Sequence, residues 1–448
     1  RWKIYCSGYP SPESYIEWSF RYLIGASLQR RVWIGSPHYN TLEEHQPCFA
    51  NSYVVLTGPP GTGKGLPIRA VSDFLKYWKL KDAIKVDFNN KDHNSIQDTI
   101  IEGDLKTARE IEMQPKNKQN DVIEPLLIPV AADATTYEAL VEAVAQSYRR
   151  INFTKHDSSP GIYGHSSICF SLQELASLLR KRTDDTVNYM LGLYDCPIDY
   201  EYNTKTKGKD RVRRGCLNLL AGTTPGFMQS IFSEELVDEG FASRTWFIYA
   251  NKARKSQFFI PPLTEEQIEC KKHILEHIRK LTVLYGCVTI QKETYEFLED
   301  WKQKYDSDRA RRSNQSNKLE AYYARKNIHV MKVALQEHFA DNITMEIPLE
   351  TFKRAIEILG KEEKNMHMAI TMESKNPIAN ISRHILEMLV TGKKDFVTLH
   401  VDLISLATKE QLEESLNFLY ETDQIRVEEV MDKVTEKTTM HYSIKEMK

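Results

Sequence analysis

The chain has 448 residues, 41% of them hydrophobic and 27% charged, with a formal net charge of −2. That length suggests about three domains at roughly 100–200 residues each, and the composition is that of a soluble chain with a real core. The near-neutral balance excludes a global basic field, so any contact with nucleic acid must come from a local patch.

In chain order, residues 11–35 read as an amphipathic helix with apolar positions at Tyr15, Trp18, Tyr22, Ile24 and Leu28. A Pro/His/Asn-rich connection leads to a strand, Tyr53–Thr57, a glycine-rich turn from Gly58, and a helix over 64–78 with Pro67 in its first turn. Residues 81–121 are polar, with one helix expected near 93–112. The apolar run 125–131 suits a buried strand, and Thr135 or Thr136 can cap a helix over 137–150. Residues 154–166 read as a loop, followed by a strand over 167–172 and a helix over 174–181. Alternating strands near 199–206 and 210–214 surround Lys207-Gly208 as a hairpin. A strand over 216–221, a helix to about 235 and a strand over 245–250 complete a strand–helix series. Such a series predicts a parallel sheet with helices on both faces. Residues 264–371 read as helical throughout. The segment 378–448 reads as three helices and two strands, with a Thr408/Gln411 capping box, which is the layout of a winged helix.

The strongest chemical signal is Gly58-Pro59-Pro60-Gly61-Thr62-Gly63-Lys64-Gly65, a G-x-x-x-x-G-K loop between an apolar strand and a helix. Glycines let the backbone amides turn toward phosphates, the helix N-terminus adds positive potential, and Lys64 supplies a cation. The Ser/Thr that would ligate Mg²⁺ is Gly65. At the end of the 167–172 strand, Gln173 stands where a metal-side Asp is expected. Glu174 either polarises the attacking water or simply favours the first turn of its helix. Thr223 and Thr224 precede Pro225, and Thr224 either orients the lytic water or caps the next helix. Arg244 before the 245–250 strand is either an arginine finger for a neighbouring copy or half of a surface salt bridge. In the hairpin, Lys205, Lys207 and Lys209 either grip nucleic-acid phosphates or form a solvated charged loop.

The seven cysteines form no C-x-x-C pair and no His cluster accompanies them, so no metal site is expected from them and reduced cytosolic thiols are. No apolar run approaches the ~20 residues that cross a bilayer, and no secretory leader is visible.

Leu193-Tyr194-Asp195-Cys196-Pro197, Thr204-Lys205, Ala221-Gly222-Thr223-Thr224-Pro225 and Gly240-Phe241-Ala242-Ser243-Arg244 resemble a family of phage and mobile-element P-loop proteins found beside or fused to primases. The order of parts is also similar to ring helicases of the AAA+ class, such as the minichromosome maintenance proteins. The resemblance implies a P-loop NTPase (AAA+-like) α/β core with a helical lid and a winged helix. The expected divisions are an N-terminal helical segment at 1–50, an ATPase core at 51–260, a lid at 261–375 and a winged helix at 376–448. It also implies ATP and Mg²⁺ as cofactors, single-stranded DNA as substrate, a homo-hexamer, a primase or other replication protein as partner, and a bacterial host's cytoplasm. By the same analogy Arg325, in the lid, is a second sensor of the nucleotide or a structural helix arginine. The expected function is an ATP-dependent helicase or translocase in replication. The alternative is an ATP-binding initiator or loader that hydrolyses weakly. The acidic helix over 408–421, with Glu410, Glu413, Glu414 and Glu421, favours that alternative because it would repel a DNA groove.

Overall fold

The computed structural model describes residues 1–35, 47–79, 126–133, 136–154, 160–179, 183–204, 208–231, 240–311, 319–370, 377–389, 392–404, 406–431 and 438–445. The helix expected near 93–112 lies outside these residues. The chain divides into two compact units, Arg1–Ile370 and Thr371–Lys448.

The first unit is built on a five-stranded sheet. After a short helix over Trp2–Tyr5, its main elements are α1 (Glu13–Leu28), β1 (Val32–Ile34), β2 (Cys48–Phe49), β3 (Tyr53–Thr57), α2 (Gly65–Leu75), α3 (Tyr137–Gln146), β4 (Tyr148–Thr154) and β5 (Pro160–Leu172). There follow α4 (Thr183–Tyr194), β6 (Asp199–Thr204), β7 (Gly208–Arg213), β8 (Gly215–Thr223), α5 (Pro225–Ile231) and β9 (Thr245–Tyr249). The strand order is β4-β5-β8-β3-β9. β5, β8, β3 and β9 run parallel, and β4 lies antiparallel on β5. All five residues of β3 and all nine of β8 are buried, as expected of parallel strands covered on both faces.

Side chains on the two faces of the sheet meet different helices. Tyr53 donates its hydroxyl to the Met190 carbonyl of α4 at 2.6 Å. On the opposite face, Trp246, paired with Val54, packs its ring 4.9 Å from that of Trp18 in α1. α1 is therefore not a half-exposed amphipathic helix. Twelve of its 16 residues are buried, because helices as well as the sheet cover it. It also stops at Leu28 rather than near 35: Gln29 takes a left-handed conformation, and β1 follows to pair with β2.

Two other expectations are corrected. The helix predicted over 137–150 ends at Gln146, and Tyr148–Thr154 is a strand. The predicted loop 154–166 is a strand from Pro160 on, its residues paired in register with β4 from Tyr148↔Ser166 to Thr154↔Pro160. Long-range pairing outweighs local propensity in both places. The apolar run before Ala131 contributes a parallel bridge, Val130↔Cys169, at the outer side of β5.

Beyond β9 come α6 (Glu265–Leu281), β10 (Gly286–Val288), α7 (Lys292–Arg311), α8 (Lys326–Asp341) and α9 (Leu349–Ile370). The segment 264–371 is thus not helical throughout, since β10 pairs parallel with β1. These helices pack into the same unit as the sheet, with α8 on α1 and α9 on β9.

The second unit contains α10 (Pro377–Leu389), β11 (Lys394–Asp395), α11 (Phe396–Asp402), α12 (Lys409–Glu421), β12 (Ile425–Met431) and β13 (Thr438–Ile444). Its three strands are antiparallel in the order β11-β13-β12. Its core gathers Ile381, Ile385, Leu389, Leu399, Leu412, Leu416 and Ile425. The Thr408/Gln411 capping box opens α12 as its spacing predicts, the Gln411 amide donating to Thr408 Oγ1 at 3.3 Å.

Candidate functional site

The C-terminal ends of the parallel strands converge at one edge of the sheet. Residues 58–65 join β3 to α2 there. The Gly58 amide donates to the Thr223 carbonyl at 3.4 Å, and the Leu175 amide donates to the Gly222 carbonyl at 2.7 Å. These bonds tie the glycine loop, the Gln173-Glu174 turn and the Thr223-Thr224 end of β8 together. Ligand sites in open α/β sheets lie outside such strand ends.

Within the loop, Gly61 and Gly63 adopt φ of +83° and +82°, a region glycine enters without steric cost. The amides of Gly61 and Gly63 donate to no backbone carbonyl among the described residues. α2 opens at Lys64 with no side-chain cap, so its first amides face the loop. Orphan amides at a helix start form an anion-binding cradle. Lys64 is nearly buried. Its ammonium donates to the Gly58 carbonyl at 2.6 Å, to the Pro59 carbonyl at 2.9 Å and to Thr62 Oγ1 at 3.3 Å. Burial pushes its pKa below the ordinary lysine value, and the carboxylate of Glu174 opposes that shift. The loop thus encloses its own cation on carbonyl oxygens, and a phosphate would offer that cation a stronger, charged partner.

Two residues without a motif support this loop. Ser11 donates to the Gly63 carbonyl at 2.6 Å, and Tyr15 donates to the Thr57 carbonyl at 2.6 Å. Nothing in the local sequence marks them, because the contacts span 52 and 42 residues.

The acidic turn places Gln173 and Glu174, both exposed, at the same edge. Thr224 caps α5, its Oγ1 accepting from the Phe227 amide at 3.3 Å, so the capping alternative describes its present contact.

A magnesium ion does not fit the donor set. Gly65 offers no hydroxyl, Gln173 offers a neutral carboxamide, and a Cβ added at Gly65 would lie 2.5 Å from Gln173 Oε1. Among the described residues no group of three His, Cys, Asp or Glu side chains could hold a metal. The phosphate cradle of Gly58, Pro59, Pro60, Gly61, Thr62, Gly63, Lys64 and Gly65 does suit a nucleotide's polyphosphate.

The arginines lie elsewhere. Arg244 directly precedes β9, and Tyr53↔Thr245 is the first pair of β3 with β9. Arg244 therefore sits at the N-terminal edge of the sheet, level with the residue before Tyr53 and so about 20 Å along the strand from Gly58 at ~3.3 Å per residue. There Arg244 Nη2 lies 3.2 Å from Asp195 Oδ2, and Arg325 Nη2 lies 2.6 Å from Asp195 Oδ1. Both guanidinium groups also face the Tyr194 ring, at 5.9 and 5.7 Å. Arg325, expected as a second sensor of the nucleotide or a structural helix arginine, stands beside Arg244 at the edge away from Lys64, where its contact is with Asp195. Asp195, to which no role was attached in the sequence, joins the two.

The β6–β7 hairpin pairs from Asp199↔Arg213 to Thr204↔Gly208. Lys205 and Lys207 lie outside the described residues, and Lys209 has its backbone partner in Asn203. At the hairpin base Arg211 Nε donates to Asp199 Oδ1 at 2.8 Å, which neutralises one of its cations.

No helix among the described residues is long and apolar enough to cross a membrane. No protein-family model and no curated protein matches the chain. Among solved structures, the Orc1 protein of Aeropyrum pernix in complex with DNA matches at 11% identity over 90% of this chain and 85% of that one, with a TM-score of 0.17, a superposition too loose to carry fold or function across.

Proposed function

We propose that the chain is a nucleotide-binding P-loop ATPase of the AAA+ type, completed by a second copy of itself and acting on nucleic acid. The observation that carries this reading is the 58–65 loop. It joins a buried parallel strand to an uncapped helix, has two left-handed glycines, and buries Lys64 on its own carbonyls. The strand order supports it as well, since β8 separates the loop's strand from β5, the strand that leads into Glu174. In this reading Lys64 binds the phosphates, Glu174 polarises water, and Thr224 contributes its hydroxyl while capping α5. Arg244 acts on the nucleotide of an adjoining copy. Its place across the sheet from Lys64 favours action between chains, as in a ring such as a hexamer. Lys205, Lys207 and Lys209 then grip single-stranded DNA, and residues 261–375 serve as the lid.

The three helices and small antiparallel sheet of the second unit suit a winged helix. Glu410, Glu413, Glu414 and Glu421 are all exposed on α12, so this unit fits a protein partner, such as a primase or other replication protein, better than a DNA groove. The proposed setting is phage or mobile-element DNA replication in a bacterial host's cytoplasm.

The deciding experiment is ATP binding and turnover by the wild type and Lys64→Ala, each with and without single-stranded DNA. The variant should lose both activities. A wild-type protein that ignores millimolar ATP would end the reading. A second reading, an ATP-controlled initiator or loader with little hydrolysis, is favoured by Gly65 and Gln173. A strand-displacement assay separates it from a helicase.

A further inference from the structure

Gly65 and Gln173 are 108 residues apart in the chain, yet they are in contact. The Gln173 side-chain Nε2 donates to the Gly65 carbonyl at 3.3 Å. A Cβ on residue 65 would come within 2.5 Å of Gln173 Oε1. The two departures from a magnesium-binding pattern are therefore one feature. The missing side chain at 65 makes the space into which the carboxamide of 173 reaches.

The chemistry of that space differs from a metal site. Magnesium dehydrates reluctantly and is held through carboxylates and phosphates in near-octahedral geometry. Here one position has no side chain and the other presents a neutral amide. A carboxamide brings N–H donors, which suit phosphate oxygens directly and need no ion between them. The remaining positive potential comes from Lys64 and the uncapped start of α2.

Resting on the nucleotide-binding reading above, we propose that the chain holds its nucleotide without a protein-ligated magnesium ion. The Gln173 carboxamide fills the place that a metal-bound hydroxyl and carboxylate would share. Gln173 is then a positioning residue for the phosphates, and the site is one in which binding and metal are uncoupled.

The test is calorimetric titration of ATP into the full chain, with magnesium present and with magnesium removed by a chelator. Wild-type affinity should change by less than about fivefold, under ~1 kcal/mol, between the two conditions. In Gly65→Ser/Gln173→Asp, which introduces a hydroxyl and a carboxylate, magnesium should tighten binding by about tenfold or more. Gln173→Asp alone, which leaves the backbone at 65 untouched, should shift in the same direction. Wild-type binding that strengthens beyond about fivefold with magnesium overturns the proposal. So does a pair of variants whose affinity ignores the metal as the wild type's does. If the wild type binds ATP in neither condition, the nucleotide reading itself falls, and the proposal with it. Binding that appears only with magnesium leaves the nucleotide reading standing and removes this inference alone.

Discussion

Substituting the two left-handed glycines of the 58–65 loop by alanine should give different costs, although their backbones are nearly identical. Both have φ near +80°, so alanine costs roughly 1–2 kcal/mol at either position through the Cβ–carbonyl crowding of that region. At Gly61 a Cβ would meet nothing within 4 Å. At Gly63 it would meet Ser11 Cα and Oγ at 3.2 Å and Ser11 N at 3.3 Å. Ser11 is fully buried and donates to the Gly63 carbonyl, so the segment cannot move aside without loosening that bond. Overpacking of this kind adds about 1–3 kcal/mol. Gly61→Ala should therefore destabilise the fold by about 1–2 kcal/mol and Gly63→Ala by about 2–5 kcal/mol. Equilibrium urea unfolding without nucleotide, followed by tryptophan fluorescence, reads the difference. Equal costs within about 0.5 kcal/mol would show that the Ser11 segment does not brace the loop.

Further expectations follow from the same contacts. Arg244→Ala should abolish ATP turnover and spare ATP binding, and normal turnover in a steady-state assay would remove the finger assignment. Asp195→Ala breaks two partly exposed ion pairs, so urea unfolding should show a loss of no more than ~1 kcal/mol per pair. Replacing Lys205, Lys207 and Lys209 by Ala should reduce the salt slope of single-stranded DNA binding by about 2, at ~0.7 per phosphate contact; an unchanged slope refutes the hairpin assignment. Asp395 caps α11, with the Thr398 amide donating to its carboxylate at 2.8 Å and holding its pKa below the ordinary value. Asp395→Ala should cost about 0.5–2 kcal/mol at neutral pH. Because the folded pKa is depressed, that contribution is present above the ordinary carboxylate value of ~3.9 and is lost as pH falls through the folded value. Unfolding curves should thus separate variant from wild type at pH 7, and the separation should shrink as pH falls below the ordinary carboxylate value of ~3.9.

The sequence by itself determined what is local. β3, the turn from Gly58 and the start of the following helix depend on a short continuous apolar run, glycine and a proline in a first turn, all close together in the chain. The capping box of α12 is local in the same way. Tertiary structure decided what pairing brings together. Strand pairing turned residues 160–166 from a loop into part of β5 and enclosed α1 on more than one side. It placed Arg244 and Arg325 on Asp195 at the edge away from Lys64, and it set Gln173 against Gly65. Residue type and spacing prescribe backbone conformation and charge over a few turns of chain. Which edge of a sheet a side chain occupies, and which distant side chain fills the space beside it, depends on strand order and register, which are settled by burial over the whole unit.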